Sequence, residues 1–112
     1  MTRHDDDQVS LRHMLDHASE ARDLLKGRRR AALDNDRVLT LAVVRLLEVV
    51  GEAANRVSLE TKRGNPSVPW LRIVGLRNRL IHAYDAVDND VLWQIVKRDV
   101  PELIAALDKL AS

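Results

Sequence analysis

The segment Leu76-Arg77-Asn78-Arg79-Leu80-Ile81-His82-Ala83-Tyr84 sets a guanidinium, an imidazole and a phenol on one short helical pattern. At about 100° per residue, Trp70, Ile73, Val74, Leu76, Leu80 and Ile81 fall on one broad apolar arc. Arg77 lies near the middle of that arc, and Tyr84 follows one heptad later on the same side. Asn78 and His82, spaced i and i+4, share the adjoining face, where Gly75 removes side-chain bulk. An arginine on an apolar stripe costs free energy unless its charge is paired or faces a polar cleft. Two readings follow from the pattern: a structural ion paired with Glu52, or an arginine that faces a site.

Outward from this segment the chain reads as four main helices without strands. The first covers about 8 to 26, with Leu11, Met14, Leu15, Ala18, Ala21 and Leu25 as its apolar stripe. Gly27 and the run Arg28-Arg29-Arg30 break it. The second covers about 35 to 58 with Asp34 as its expected cap. It buries Leu39, Ala42, Val43, Leu46, Leu47, Val50, Ala54 and Val57, while Arg45, Glu48, Glu52 and Arg56 line its polar side at pairing distance. Residues 60 to 67 are dense in turn formers and read as a loop. Ser67 and Pro69 start the third helix, about 68 to 84. Asp88 caps the fourth, which holds Val91, Leu92, Ile95 and Val96. Pro101 should bend or interrupt it near Asp99, because it lacks an amide hydrogen. A last segment, 102 to 110, keeps helical period. The expected fold is all-α: one domain spanning 1–112, an antiparallel four-helix bundle with a bent or broken C-terminal helix. The wide apolar arcs on the second and third helices call for a further packing surface, which a two-fold homodimer would supply.

At 112 residues there is material for one core but not two. No apolar run reaches the roughly 18 residues of a membrane-spanning helix, and Met1-Thr2-Arg3-His4-Asp5-Asp6-Asp7 has no signal-peptide core. The absence of cysteine excludes disulfides and thiolate metal sites and suits a cytoplasmic protein. A formal net charge of +1 argues against broad, nonspecific nucleic-acid binding. The basic groups are nonetheless clustered, at Lys26 to Arg30, at Lys62-Arg63 and around Arg72, Arg77 and Arg79. Fourteen of the 18 cations are Arg, a bias that suits bidentate contacts to phosphate or carboxylate.

His82 can act as base or acid near neutral pH. Arg77 can hold a phosphate and stabilise charge growing on its oxygens, and Asn78 can position that phosphate or orient the imidazole. This set suits metal-independent RNA cleavage, in which a ribose 2′-oxygen loses its proton and attacks the adjacent phosphate. The leaving oxygen needs an acid, and the segment carries one histidine. A dimer with its third helices face to face would bring two His82 and two Arg77 to one cleft. Other features have plainer readings. His13 and His17 have i,i+4 metal spacing but lie on a solvated helix flank. Asp5, Asp6 and Asp7 suit the N-terminus of the first helix. Trp70 and Trp93 belong to the core, and Glu52 either supports the site or pairs with Arg45 or Arg56.

Arg77-x4-His82-x-Tyr84 resembles the R-x4-H-x-Y signature of the HepT-like toxins of HepT/MntA toxin–antitoxin pairs, within the HEPN superfamily of helical-bundle ribonucleases. Further resemblances are Leu11-Arg12-His13-Met14-Leu15-Asp16-His17, Gly51-Glu52-Ala53, Val68-Pro69-Trp70, and the Trp93 segment followed by Pro101-Glu102-Leu103. The resemblance implies a dimeric helical bundle with its active site at the interface. It implies Arg77 and His82 as ribonuclease residues with Asn78 beside them. It also implies an MntA-like nucleotidyltransferase antitoxin that transfers AMP from ATP to Tyr84, with no resident cofactor in the toxin. No Gly-Ser-x-Asp transfer motif occurs here, so the chain would be the modified partner. Asp85 stands where many relatives carry an aromatic residue. A non-catalytic helical module that binds such a transferase is the alternative.

Overall fold

Gly27 (φ 74°) ends the first long helix, because the left-handed conformation it adopts is one that side chains resist. The computed structural model describes residues 3–80 and 87–111, with side chains from 6 to 80 and 87 to 110. Helix α1 runs Arg3–Leu25, beginning earlier than the sequence pattern suggests. Its expected stripe of Leu11, Met14, Leu15, Ala18, Ala21 and Leu25 is buried throughout. A short α2, Ala32–Asn35, precedes the long α3, Arg37–Arg56. The cap of α3 is Asp36, not Asp34: its extended backbone turns its carboxylate onto the Leu39 amide at 3.0 Å. Asp34 instead accepts from Asn89 Nδ2 at 3.0 Å and pairs with Arg30 at 3.1 Å.

The stretch expected as loop contains a helix, α4, Leu59–Gly64. Tertiary contact overrides its turn-forming composition. Asp7 is 3% exposed and accepts from Ser58 N at 2.8 Å, Ser58 Oγ at 2.6 Å and Thr61 Oγ1 at 2.5 Å. Ser58 Oγ in turn accepts from Thr61 N. Asp7 therefore serves the N-terminus of α4. Three hydrogen bonds to a charged acceptor, each contributing about 1.5–3 kcal/mol net, outweigh the local preference for a turn.

The third helix is in two pieces. α5, Trp70–Val74, starts after Pro69, and α6, Leu76–Leu80, follows a break at Gly75. Trp70 is buried and its indole N–H donates to the Asn65 carbonyl at 3.0 Å. Residues 81–84 of the expected helix lie outside the described residues. The chain returns where Asp88 N donates to Leu80 O at 3.1 Å. Asp88 caps α7, Asn89–Gln94, as expected, accepting from Asp90 N and Val91 N.

The irregularity expected near Asp99 is a π-helical turn, Ile95–Asp99, in which Val100 N–H reaches back to Ile95 O. It leads into α8, Val100–Ala111. Pro101 has no N–H for the Lys97 carbonyl, and the wider turn gives the ring room.

α1 packs against α3 and α8, α3 also against α5 and α6, and α7 joins α6 to the π turn. Met14, Leu25, Val43, Leu47, Val50, Leu80, Leu92, Ile95 and Leu107 fill the centre with almost no exposure. The molecule is mostly helical, with no strand element among the described residues, and no helix among them is long and apolar enough to cross a membrane.

Candidate active site

Gly51 decides how closely α5 approaches α3. A Cβ there would stand 3.1 Å from the Ile73 carbonyl oxygen, so glycine lets the two backbones come nearer than a larger residue would without a shift of a few tenths of an ångström. The approach leaves a shallow groove of about 240 Å³ beside the crossing, lined by Glu48, Gly51, Glu52, Asn55, Val74 and Arg77.

Arg77 is not embedded in the apolar stripe. Its side chain is 74% exposed at the groove, with Nε 4.0 Å from Glu48 Oε2. Its position on the broad arc assumed one continuous helix, whereas the chain breaks at Gly75 between α5 and α6. Trp70, Ile73, Leu76 and Leu80 form the buried flank, whereas Leu71 (91% exposed) and Val74 (38%) form an outward one. Arg77, one turn after Val74, and its neighbour Asn78 are both exposed.

Glu48, rather than Glu52, is the carboxylate beside Arg77. Glu48 is the better sheltered of the two, at 25% exposure of its side chain. Glu52 lies on the groove rim and is engaged by Arg45 Nη1 at 3.4 Å, which is the plainer of its two expected roles. Glu48 was visible in the sequence only as one of four charges on the polar side of α3. What distinguishes it is the angle at which α5 and α6 cross that helix, and no spacing rule contains that angle.

The direction of α6 is held from behind. Asp99 Oδ2 takes Arg72 Nη2 at 3.2 Å and Arg79 Nη1 at 2.8 Å. One carboxylate on the π turn thus ties together the helices on both sides of Gly75, and so helps orient the segment that presents Arg77 and Asn78. A second ionic link joins the start of α7 to α2: Arg30 reaches Asp90 at 2.7 Å and Asp34 at 3.1 Å. Hydrogen bonds from Asn89 and then Arg30 hold the Asp34 carboxyl below its ordinary range, and Asp34 and Asp90 raise Arg30. Both links flank the stretch between Leu80 and Asp88. His82 and Tyr84 belong to that stretch and lie outside the described residues.

Of the remaining candidates, His17 donates through Nδ1 to the His13 carbonyl at 2.7 Å, and the two rings meet edge-on at 5.9 Å. No group of three or more metal-ligating side chains occurs among the described residues. Trp93 is half-buried against the core, with Lys97 Nζ 4.8 Å from its ring centre.

A mostly helical molecule with an exposed arginine–asparagine pair beside an apolar crossing defines a class of helical proteins with a surface site. Comparison with known proteins narrows it. Residues 14–110 match the model of the family described as ribonuclease HepT-like, and the chain belongs to that family. It is 45% identical over 69 residues to a protein of Methanocaldococcus jannaschii named as a putative RNase, spanning 62% of this chain and 63% of that one. It is 43% identical over 75 residues to a protein named probable ribonuclease HepT of Thermococcus cleftensis, spanning 67% and 68%. A protein named as a putative RNase of Caldanaerobacter subterraneus is 36% identical over 93 residues, 83% of each chain. The match thus spans just under two thirds of the first relative's length. No solved structure matches the chain.

Proposed function

We propose that this protein is the toxin of a toxin–antitoxin pair, a metal-independent endoribonuclease that works as a homodimer. The observation that carries this reading is the exposure of Arg77 in an open groove, next to Asn78 and the outward apolar residues Leu71 and Val74. A structural arginine would be expected to bury its charge against a carboxylate at short range. This one keeps its guanidinium in solvent, where a phosphate can reach it.

In the proposed reaction His82 takes the proton of a ribose 2′-hydroxyl. The freed oxygen attacks the adjacent phosphorus, forming a 2′,3′-cyclic phosphate as the bond to the 5′-oxygen breaks. Arg77 stabilises the added negative charge on the phosphoryl oxygens, and Asn78 positions them. The departing 5′-oxygen takes a proton from the His82 of the second subunit, which the dimer brings to the same cleft. The antiparallel four-helix arrangement and the dimer belong to the same proposal. An MntA-like nucleotidyltransferase would silence the site by moving AMP from ATP onto the Tyr84 hydroxyl, with pyrophosphate leaving. The added phosphate is an anion that competes for Arg77 and obstructs RNA.

The test pairs activity with mass. Arg77→Ala and His82→Ala should each lose growth inhibition and RNA cleavage by at least about a hundredfold, within the range typical of general acid–base and electrostatic groups, with unchanged helical content. Incubation with the partner transferase and ATP should add adenylyl mass to the wild type and none to Tyr84→Phe. Undiminished toxicity of His82→Ala would overturn the catalytic assignment. Partner binding without any RNA cleavage would instead identify a non-catalytic module.

A further inference from the structure

We propose that the end of the molecule where α1 meets the π-helical turn is a second contact surface, one for the phosphate backbone of single-stranded RNA. Arg22, Lys26 and Lys97 line a groove there, and Arg28, Arg29 and Arg98 stand within three residues of them in the chain; all six are exposed. Asp23 is the one carboxylate in the lining of that groove, and it is occupied by Arg22 Nε at 3.0 Å. The chain as a whole carries 18 cations and 17 carboxylates, so a local excess of cations here is offset elsewhere on the molecule. A near-neutral total charge is therefore compatible with a locally basic groove.

Tertiary structure builds the patch from two distant pieces of sequence. Gly27 turns the chain back at the end of α1, which projects Arg28 and Arg29 beyond the last turn. Lys97 arrives from the π turn and donates Nζ to the Leu25 carbonyl at 3.0 Å while lying over the Trp93 ring. Between them is an open groove of about 440 Å³, lined by Arg22, Asp23, Lys26, Val96, Lys97 and Pro101. Lys97 has a structural task here, satisfying a helix-terminal carbonyl. Lys26, Arg28, Arg29 and Arg98 have none: among the described residues, none of the four has a carboxylate within ion-pair distance.

Exposed, unpaired and mainly guanidinium cations at and beside an open groove suit a polyanion whose charges repeat along a chain. An acidic protein surface would favour cations already held in place. Lys97 and Asp99 are two residues apart on one helical turn and face nearly opposite ways. The groove is therefore separate from the side on which Asp99 binds Arg72 and Arg79. An RNA that occupies both surfaces gains affinity from the second without sequence readout.

The inference assumes that RNA is the substrate, as in the proposed function, but its test requires no cleavage. A fluorescent single-stranded 2′-O-methyl RNA has no 2′-hydroxyl to attack and reports binding alone. Its affinity for the wild-type protein is measured from about 50 to 200 mM salt and compared with that for Lys26→Gln/Arg28→Gln/Arg29→Gln. These three side chains are exposed and unpaired, so the variant should unfold at the same denaturant midpoint. Binding should weaken at least about tenfold at low salt, and the slope of log K against log salt should fall by about two, near 0.7 per lost contact. Lys62→Gln/Arg63→Gln, on α4, should leave both values unchanged. Equal losses in the two variants, no loss in the triple variant, or no RNA binding by the wild type would each overturn the proposal. If the patch binds an acidic protein instead, RNA affinity will not respond to the triple variant. Wild-type binding without cleavage of ordinary RNA would remove the ribonuclease reading and leave this surface standing.

Discussion

Arg77 and Gly51 show how much a single position contributes to the groove. Arg77 reaches the groove because α5, which leads into α6, rides on α3 at the point where Gly51 has no side chain. Gly51→Ala makes the contest measurable. Alanine favours the helical backbone by about 1 kcal/mol, while a Cβ 3.1 Å from the Ile73 carbonyl imposes overpacking of about 1–3 kcal/mol. The obstacle is backbone and cannot swing aside, so a net loss of about 1 kcal/mol is expected. Urea unfolding should show a lower midpoint at unchanged slope. RNA cleavage should fall as well, since α5 must shift to make room.

At the scale of elements, the two breaks carry more consequence than the long helices. Gly75 divides α5 from α6, and Asp99 bridges the division through Arg72 and Arg79. The link between Arg30, Asp34, Asn89 and Asp90 restrains the other flank and responds to pH. The Asp34 carboxyl is held below its ordinary value of 3.8, so folding favours its ionised form. Its stabilisation is present above 3.8 and is lost as pH falls through the lower folded value. Asp34→Asn should therefore be less stable than wild type near neutrality, with the difference closing in acid. Thermal unfolding from pH 7 down to 3 follows this directly. The group is exposed, so added salt should shrink the neutral-pH difference.

For the whole molecule, exposed apolar residues border the groove from two helices. Val38 (77% exposed) and Leu41 (52%) begin a stripe on α3 that continues through Arg45, Glu48, Glu52 and Asn55 to the groove. Leu71 and Val74 adjoin the same groove from α5. A face of this kind, centred on the candidate site, fits the proposed two-fold dimer, with the sites of two subunits brought together. Leu71→Glu places a charge on its most exposed apolar residue. It should leave thermal unfolding of the subunit nearly unchanged while shifting sedimentation to the monomer, and cleavage should disappear with the dimer. A dimeric and active Leu71→Glu protein would require a different assembly.

Local sequence accounted for what depends on near neighbours. The stripe of α1, the core face of α3, the Asp88 cap and the disturbance before Pro101 all follow from residues within a few positions of one another. The family signature was legible for the same reason, since Arg77, His82 and Tyr84 lie within one short segment. Folding alone decided the rest. Asp7 builds α4 from 51 residues away, Glu48 rather than Glu52 meets Arg77, and Lys97 closes the basic end over Leu25 from 72 residues away. Helical periodicity says which residues share a face, but a helical wheel has no neighbours. Whether Arg77 looks into a core or into a groove depends on where α3 crosses it, and only the packed chain fixes that crossing.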